Sequence, residues 1–85
     1  MPSINVDVYC WDGPSPSTTC LNATTVQFVR NGNVERTVTT SCASTPHASA
    51  ALQQATYTCN ATNGSKSDSQ TLALKDGDTI DFYLT

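Results

Sequence analysis

The side chains able to do chemistry in this chain are few and scattered. A hydrolytic or transfer site needs a nucleophile, a base and an orienting group, or paired carboxylates, converging on a concave pocket. The sequence supplies one histidine, His47, and one glutamate, Glu35, with no cluster around either. His47 follows Pro46 in a loop-like stretch, where an exposed and unengaged imidazole is expected. No catalytic residue is assigned, no cofactor is implied, and the chain reads as a non-enzyme.

Four cysteines, Cys10, Cys20, Cys42 and Cys59, are the most informative reactive groups. Their spacings are far from the short Cys-x-x-Cys pairs of structural zinc, and His47 is remote from any such pair, so no metal site is assigned. Reduced thiols are one alternative, because Cys10 and Cys59 each lie in an apolar alternation where a thiol serves as a small hydrophobe. Disulfides are the favoured reading, since small secreted domains replace missing core with cross-links worth roughly 2–4 kcal/mol each. Bonded cysteines need Cα atoms within about 4.4–6.8 Å. That requirement favours a Cys10–Cys20 clasp across the loop leaving the first strand, together with Cys42–Cys59. Cys20–Cys59 across two sheets is the second choice.

Among the acids, Asp76, Asp78 and Asp81, with Asp12 or Asp68, are the kind of oxygen ligands calcium takes from flexible loops. The EF-hand pattern is absent, and Asp76-Gly77-Asp78 is more simply a turn. Asn22, Asn60 and Asn63 each begin an Asn-x-Ser/Thr sequon, an acceptor for glycosylation in a secretory host. Tyr9 and Trp11 share one face of a strand beside a Pro-rich loop, and exposed aromatics stack on sugar rings. Tyr9, Trp11 and Asp12 are therefore the candidate ligand-binding residues, against the simpler reading that the rings cover the end of the domain.

These residues must be positioned by a small fold. Eighty-five residues make one domain, 1–85, and at this size folding buries only somewhat more than about 60% of the chain's surface. Aromatics are only 7% of the residues, so the core is thin and cross-linking has a purpose. Four basic residues against seven acidic give a net charge of −3, with no electrostatic footprint for nucleic acid or an anionic membrane. No apolar run approaches the roughly 18 residues of a spanning helix, so membrane insertion is not expected. The N-terminus lacks the basic and apolar regions of a signal peptide, and an export signal is expected outside this sequence.

Alternation defines the elements. Ile4, Val6, Val8 and Cys10 face one way and Asn5, Asp7, Tyr9 and Trp11 the other, which predicts a half-buried strand over 4–11. Residues 12–17 are a run of turn formers. A strand over 23–30 places Val26 and Phe28 together and stops at Asn31-Gly32, a strong hairpin signal, before a return strand over 34–40. Residues 41–55 are ambiguous, with Ala48 to Gln54 able to form a short strand or a turn of helix. Strands over 55–62, 69–74 and 79–84 complete the chain, with Tyr57, Cys59 and Ala61 inward and Asp76-Gly77 fitting a tight hairpin turn. Six or seven short strands predict an all-β fold, a small antiparallel sandwich stabilised by disulfides. Fourteen Thr and nine Ser give it a largely hydroxylated surface.

The order of features resembles the prealbumin-like, carboxypeptidase-regulatory-like sandwich family, which includes the type B repeat domains of collagen adhesins. The residues carrying the resemblance are Ile4–Cys10, the Gly/Pro loop 12–17, Ala23–Val29 with Asn31-Gly32, the Thr-rich Thr37–Thr40, Gln54–Ala61 around Tyr57, and the closing Gln70–Leu74 and Ile80–Leu84. Residues 41–54 depart from that layout. An immunoglobulin-like sandwich is the rival, because Tyr57-Thr58-Cys59 is similar to its tyrosine corner. Some adhesin-type members carry a Lys–Asn isopeptide between first and last strands. Strand 4–11 has no Lys and strand 79–85 no Asn, so disulfides are expected in its place. The resemblance implies a non-enzymatic structural, adhesion or assembly module of an extracellular or cell-surface protein. Its partner would be a protein or glycan surface ligand, or another copy through edge strands. A carbohydrate-binding module using the exposed aromatics is the alternative.

Overall fold

The structure, a computed structural model, describes residues 2–85. It is all-β: seven strands, β1 (Ser3–Asp12), β2 (Thr25–Arg30), β3 (Asn33–Thr39), β4 (Ala48–Gln53), β5 (Thr56–Asn63), β6 (Lys66–Ala73) and β7 (Thr79–Leu84). They form two sheets, a three-stranded one ordered β4-β1-β7 and a four-stranded one ordered β3-β2-β5-β6. Every strand pair is antiparallel except β1 with β7. No helix among the described residues is long and apolar enough to cross a membrane.

The inner faces follow the alternation. Ile4, Val6, Val8 and Cys10 of β1 meet Val26 and Phe28 of β2 and Tyr57, Cys59 and Ala61 of β5 in one buried cluster. Ile80, Phe82 and Leu84 of β7 complete it. Phe28 and Tyr57 lie edge to face with centroids 6.2 Å apart, the arrangement ring quadrupoles favour. Tyr57 keeps its polar end satisfied by donating its hydroxyl to the carbonyl of Gln53 at 2.8 Å. The Asn31-Gly32 turn has positive φ at both residues, 52° and 77°, as a type I′ hairpin requires.

One open expectation is resolved and two are revised. The ambiguous segment is a strand, β4, with Ala50 and Leu52 inward against the core. Tertiary burial of these two alternating residues overrides the helical preference of an Ala- and Gln-rich stretch. Asp76-Gly77 does not close a hairpin: β6 and β7 belong to different sheets, and the turn carries the chain between them. The last strand then runs parallel to the first, from Asp7↔Thr79 to Asp12↔Leu84.

The second revision concerns the cysteines. The disulfide is Cys20–Cys42, with Cα atoms 5.9 Å apart, and Cys10 and Cys59 are free and buried. Neither Cys10–Cys20 nor Cys42–Cys59 forms, and Cys20–Cys59 does not either. The reason is the pleat. Cys20 lies opposite Trp11 in an antiparallel bridge, and Trp11 faces away from the core, whereas Cys10 one residue earlier faces into it. Cys59 likewise points inward from β5, while Cys42 is exposed in the loop after β3. Only Cys20 and Cys42 share a side of the structure from which they can bond. Reduction of the native protein should therefore add about 2 Da by mass spectrometry, one disulfide's worth of hydrogen, and not the roughly 4 Da of two.

Candidate functional site

The outer face of the β4-β1-β7 sheet collects the chain's aromatic surface. Register places Tyr9 beside Asp81 and Trp11 beside Tyr83 on the parallel strand, all pointing away from the core and all except Asp81 half-buried. The Tyr9 and Trp11 rings are parallel to within 1°, with centroids 5.9 Å apart, so they overlap only at an offset. The Trp11 indole donates its Nε1–H to Asp81 Oδ1 at 2.9 Å, fixing the ring's orientation. Asp12 takes no part in this face. As the next residue along the strand it turns the other way, and its carboxylate pairs with Lys66 of β6.

His47 is not the free imidazole expected from the sequence. It precedes Ala48, which pairs with Val8, so continuing the register brings it opposite Tyr9. Its ring meets Tyr9 at 4.8 Å and Trp11 at 4.9 Å, edge-on to both, and only 8% of the residue is exposed. The Cys10 amide donates to His47 Nδ1 at 3.1 Å. A nitrogen that accepts cannot carry the proton, so this contact assigns the neutral tautomer protonated at Nε2. β4 starts only at Ala48, and Cys10 N–H finds its acceptor in the imidazole in place of a backbone carbonyl. Cys20 Sγ lies 3.7 Å from the same Nδ1, which places the disulfide against the ring. Tyr9, Trp11, His47 and Cys20–Cys42 thus form one packed knot.

The other sequence candidates are held in structural contacts. Asp76 Oδ1 accepts the Asn5 amide at 2.8 Å, which ties the turn to β1, and Asp78 Oδ2 accepts the Lys75 amide at 2.8 Å, a bond within the turn. Among the described residues, no group of three or more His, Cys, Asp or Glu side chains converges as metal ligands. Of the sequon asparagines, Asn22 Oδ1 accepts the Cys42 amide at 2.9 Å and Asn60 Oδ1 accepts the Ser69 hydroxyl at 2.7 Å. Asn63 uses its side-chain nitrogen, the atom a glycan would occupy, to donate to the Asn22 carbonyl at 2.9 Å and to Thr24 Oγ1 at 3.2 Å. A glycan on Asn63 would have to displace both bonds.

The two free thiols are poor nucleophiles. Burial pushes Cys10 up from an ordinary value of 9.0 to about 11, with the Thr24 and Thr40 hydroxyls offsetting part of the rise and Asp68 adding to it. Burial alone pushes Cys59 to about 11. The thiolate is the reactive form, so both groups are inert at neutral pH.

The sequence indicated Tyr9 and Trp11 but not His47, Asp81 or Tyr83. The outward alternation of Asp81 and Tyr83 is visible in the sequence. Their neighbourhood with Trp11 depends on a parallel pairing across the whole chain, which no local pattern encodes.

Two predictions follow from this geometry. The folded state keeps both thiols protonated where the unfolded chain has released its protons, so their contribution to stability is complete below about pH 9 and is lost as pH rises toward about 11. Denaturant melts across that range should show the decline, and a thiol probe at neutral pH should modify Cys10 and Cys59 only after unfolding. His47→Ala leaves the Cys10 amide without an acceptor, and an orphaned buried donor costs about 1–3 kcal/mol before any lost packing. Urea unfolding should register that loss, and hydrogen exchange at the Cys10 amide should accelerate.

Comparison of the chain with models of known protein families and with curated proteins finds no match.

Proposed function

We propose that this domain is a non-enzymatic structural, adhesion or assembly module of an extracellular or cell-surface protein, of the prealbumin-like type. The observation that carries the reading is the Cys20–Cys42 disulfide packed on His47 at one end of the sandwich. It ties the loop leaving β1 to the loop leaving β3, the two segments with least regular structure. A disulfide persists in oxidising surroundings, and stiffening exposed loops is what a module facing proteases or load requires. The imidazole, the thiols and most of the carboxylates are spent on internal bonds or burial, which supports a structural role. The resemblance also places the family's cross-link between first and last strands, a bond that needs those strands to be neighbours. β1 and β7 are neighbours here, while the covalent tie has moved to the loops.

Paired Cys20→Ser and Cys42→Ser substitutions should test the reading. The bond closes a loop with a sequence separation of 22, so its removal should cost about 3 kcal/mol and expose residues 13–24 and 41–46 to proteases. Equal stability and equal proteolysis with and without the bond would contradict a module built on it.

A glycan-binding reading has one observation in its favour. Tyr9, Trp11 and Tyr83 present half-exposed ring surface on a single sheet face, with Asp81 alongside as a polar group. A glycan array read with wild type and Trp11→Ala separates the two. Binding lost in the variant favours the lectin-like reading, and no binding by either protein favours the structural module.

A further inference from the structure

The two long sides of the sandwich differ. Along one, β6 and β7 are stitched across the sheets: the Tyr83 amide donates to Asp68 Oδ2 at 2.9 Å, Gln70 Nε2 donates to the Asp81 carbonyl at 2.7 Å, and Lys66 pairs with Asp12. Along the other, the edge strands β3 and β4 leave a cleft of about 300 Å³ lined by Arg30, Glu35, Arg36, Leu52, Gln53 and Tyr57, among others. The protein carries a net charge of −3 and only four basic residues, yet two of those four line this one cleft.

Their positions follow from register. Arg36 pairs with Phe28, whose side chain is in the core, so Arg36 lies on the inner side of an edge strand, where it stays exposed. Arg30 follows Val26 and Phe28 on the same inner face of β2. Arg30 is largely committed: its Nε donates to Glu35 Oε1 at 3.0 Å, its Nη2 reaches Gln53 Oε1 at 3.3 Å, and its guanidinium lies 6.0 Å from the Tyr57 ring centroid. Arg36 is different. The two ion pairs among the described residues are Arg30–Glu35 and Lys66–Asp12, and neither uses it. Arg36 is exposed, lines the cleft together with the committed Arg30, and its guanidinium carries the planar fork of donors that a carboxylate accepts bidentately.

The walls of the cleft define the occupant further. β4 pairs only with β1 and β3 only with β2, so each presents a free row of amides and carbonyls to the opening. β3 is protected as edges usually are, by the inward charge of Arg36 and by a bulge opposite Phe28 and Val29. β4 is not: Ala48, Ser49, Ala50 and Ala51, the last of which lines the cleft, carry no charge, proline or bulge. We infer that the cleft binds an extended acidic peptide segment, which adds to the free edge of β4 and places an inward-facing carboxylate on Arg36. Main-chain bonds supply affinity and the Arg36 pocket supplies selectivity for Asp or Glu at alternate positions. The inference goes beyond the structural-module reading, because a spacer needs no ligand cleft, and its failure would leave that reading standing.

The test uses the intact domain and a capped peptide of alternating Thr and Glu, followed by calorimetry and amide NMR. The Thr/Glu peptide should bind at least about tenfold more tightly than a Thr/Gln counterpart, and about tenfold more tightly to wild type than to Arg36→Gln. Amide shifts should concentrate in Ala48–Gln53, and added salt should weaken binding. The comparison of the two peptides on wild type reads the carboxylate's contribution without any variant. Absence of binding, equal affinity for the two peptides, or shifts confined to the Tyr9–Trp11 face overturns the inference. So does binding of oligogalacturonate that Arg36→Gln abolishes while the peptide does not bind, which would assign the cleft to an acidic polysaccharide.

Discussion

A central strand must satisfy two rows of backbone donors and acceptors at once, and in this domain that burden falls on β1. On one edge β4 pairs with Ser3 through Val8, and the ladder then runs out. The segment around Cys20 takes over, with the Leu21 amide bonded to the Cys10 carbonyl and the Asp12 amide to the Thr19 carbonyl. Between the two, His47 supplies the missing acceptor. On the other edge β7 pairs in parallel from Asp7 to Asp12. A parallel neighbour cannot come from a tight turn, so the chain must build the whole second sheet before β1 is complete. The fold closes only when its last strand reaches its first.

That closure explains where the reactive side chains end up. Seating β7 beside β1 puts Asp81 at the Nε1 edge of the Trp11 indole and Tyr83 next to it, and it buries Phe82 on the same inner face as Cys10. Starting β4 only at Ala48 lifts His47 onto the aromatic pair and leaves the disulfide loops to cover it. The polar bonds between sheets then concentrate on the β6/β7 side. The β3/β4 side stays open with arginines facing inward, so the chemistry left over for other molecules lies at that edge and on the aromatic face.

The alternation is enough to read the inner faces of β1, β2 and β5 from sequence, because a half-buried strand writes its burial directly into every second residue. It failed where a residue's neighbour is set by sheet order. Asp76-Gly77 has the composition of a hairpin turn, and nothing local distinguishes a turn between paired strands from one that changes sheet. Ala48–Gln53 carries helix-forming residues, and only the waiting edge of β1 makes it a strand. The same limit governed the site. Tyr9 and Trp11 are legible as a pair two residues apart on one strand, while Asp12 is their neighbour in sequence alone, turned by the pleat toward Lys66.

The cysteines show how far this distinction reaches. Counting them indicated cross-linking, and sequence proximity suggested Cys10 with Cys20, yet adjacent positions on the ladder face opposite sides of a sheet. Once β1 is seated, Cys10 is an interior residue with the packing role of a valine, and Cys59 is the same on β5. Their burial holds them protonated, and that removes them from thiol–disulfide exchange at neutral pH. Cys20 and Cys42 remain outside the core, in loops that the His47 knot already brings together. The pairing is therefore selected by the fold. Of the four thiols, the two that the core does not claim are the two an external oxidant can reach.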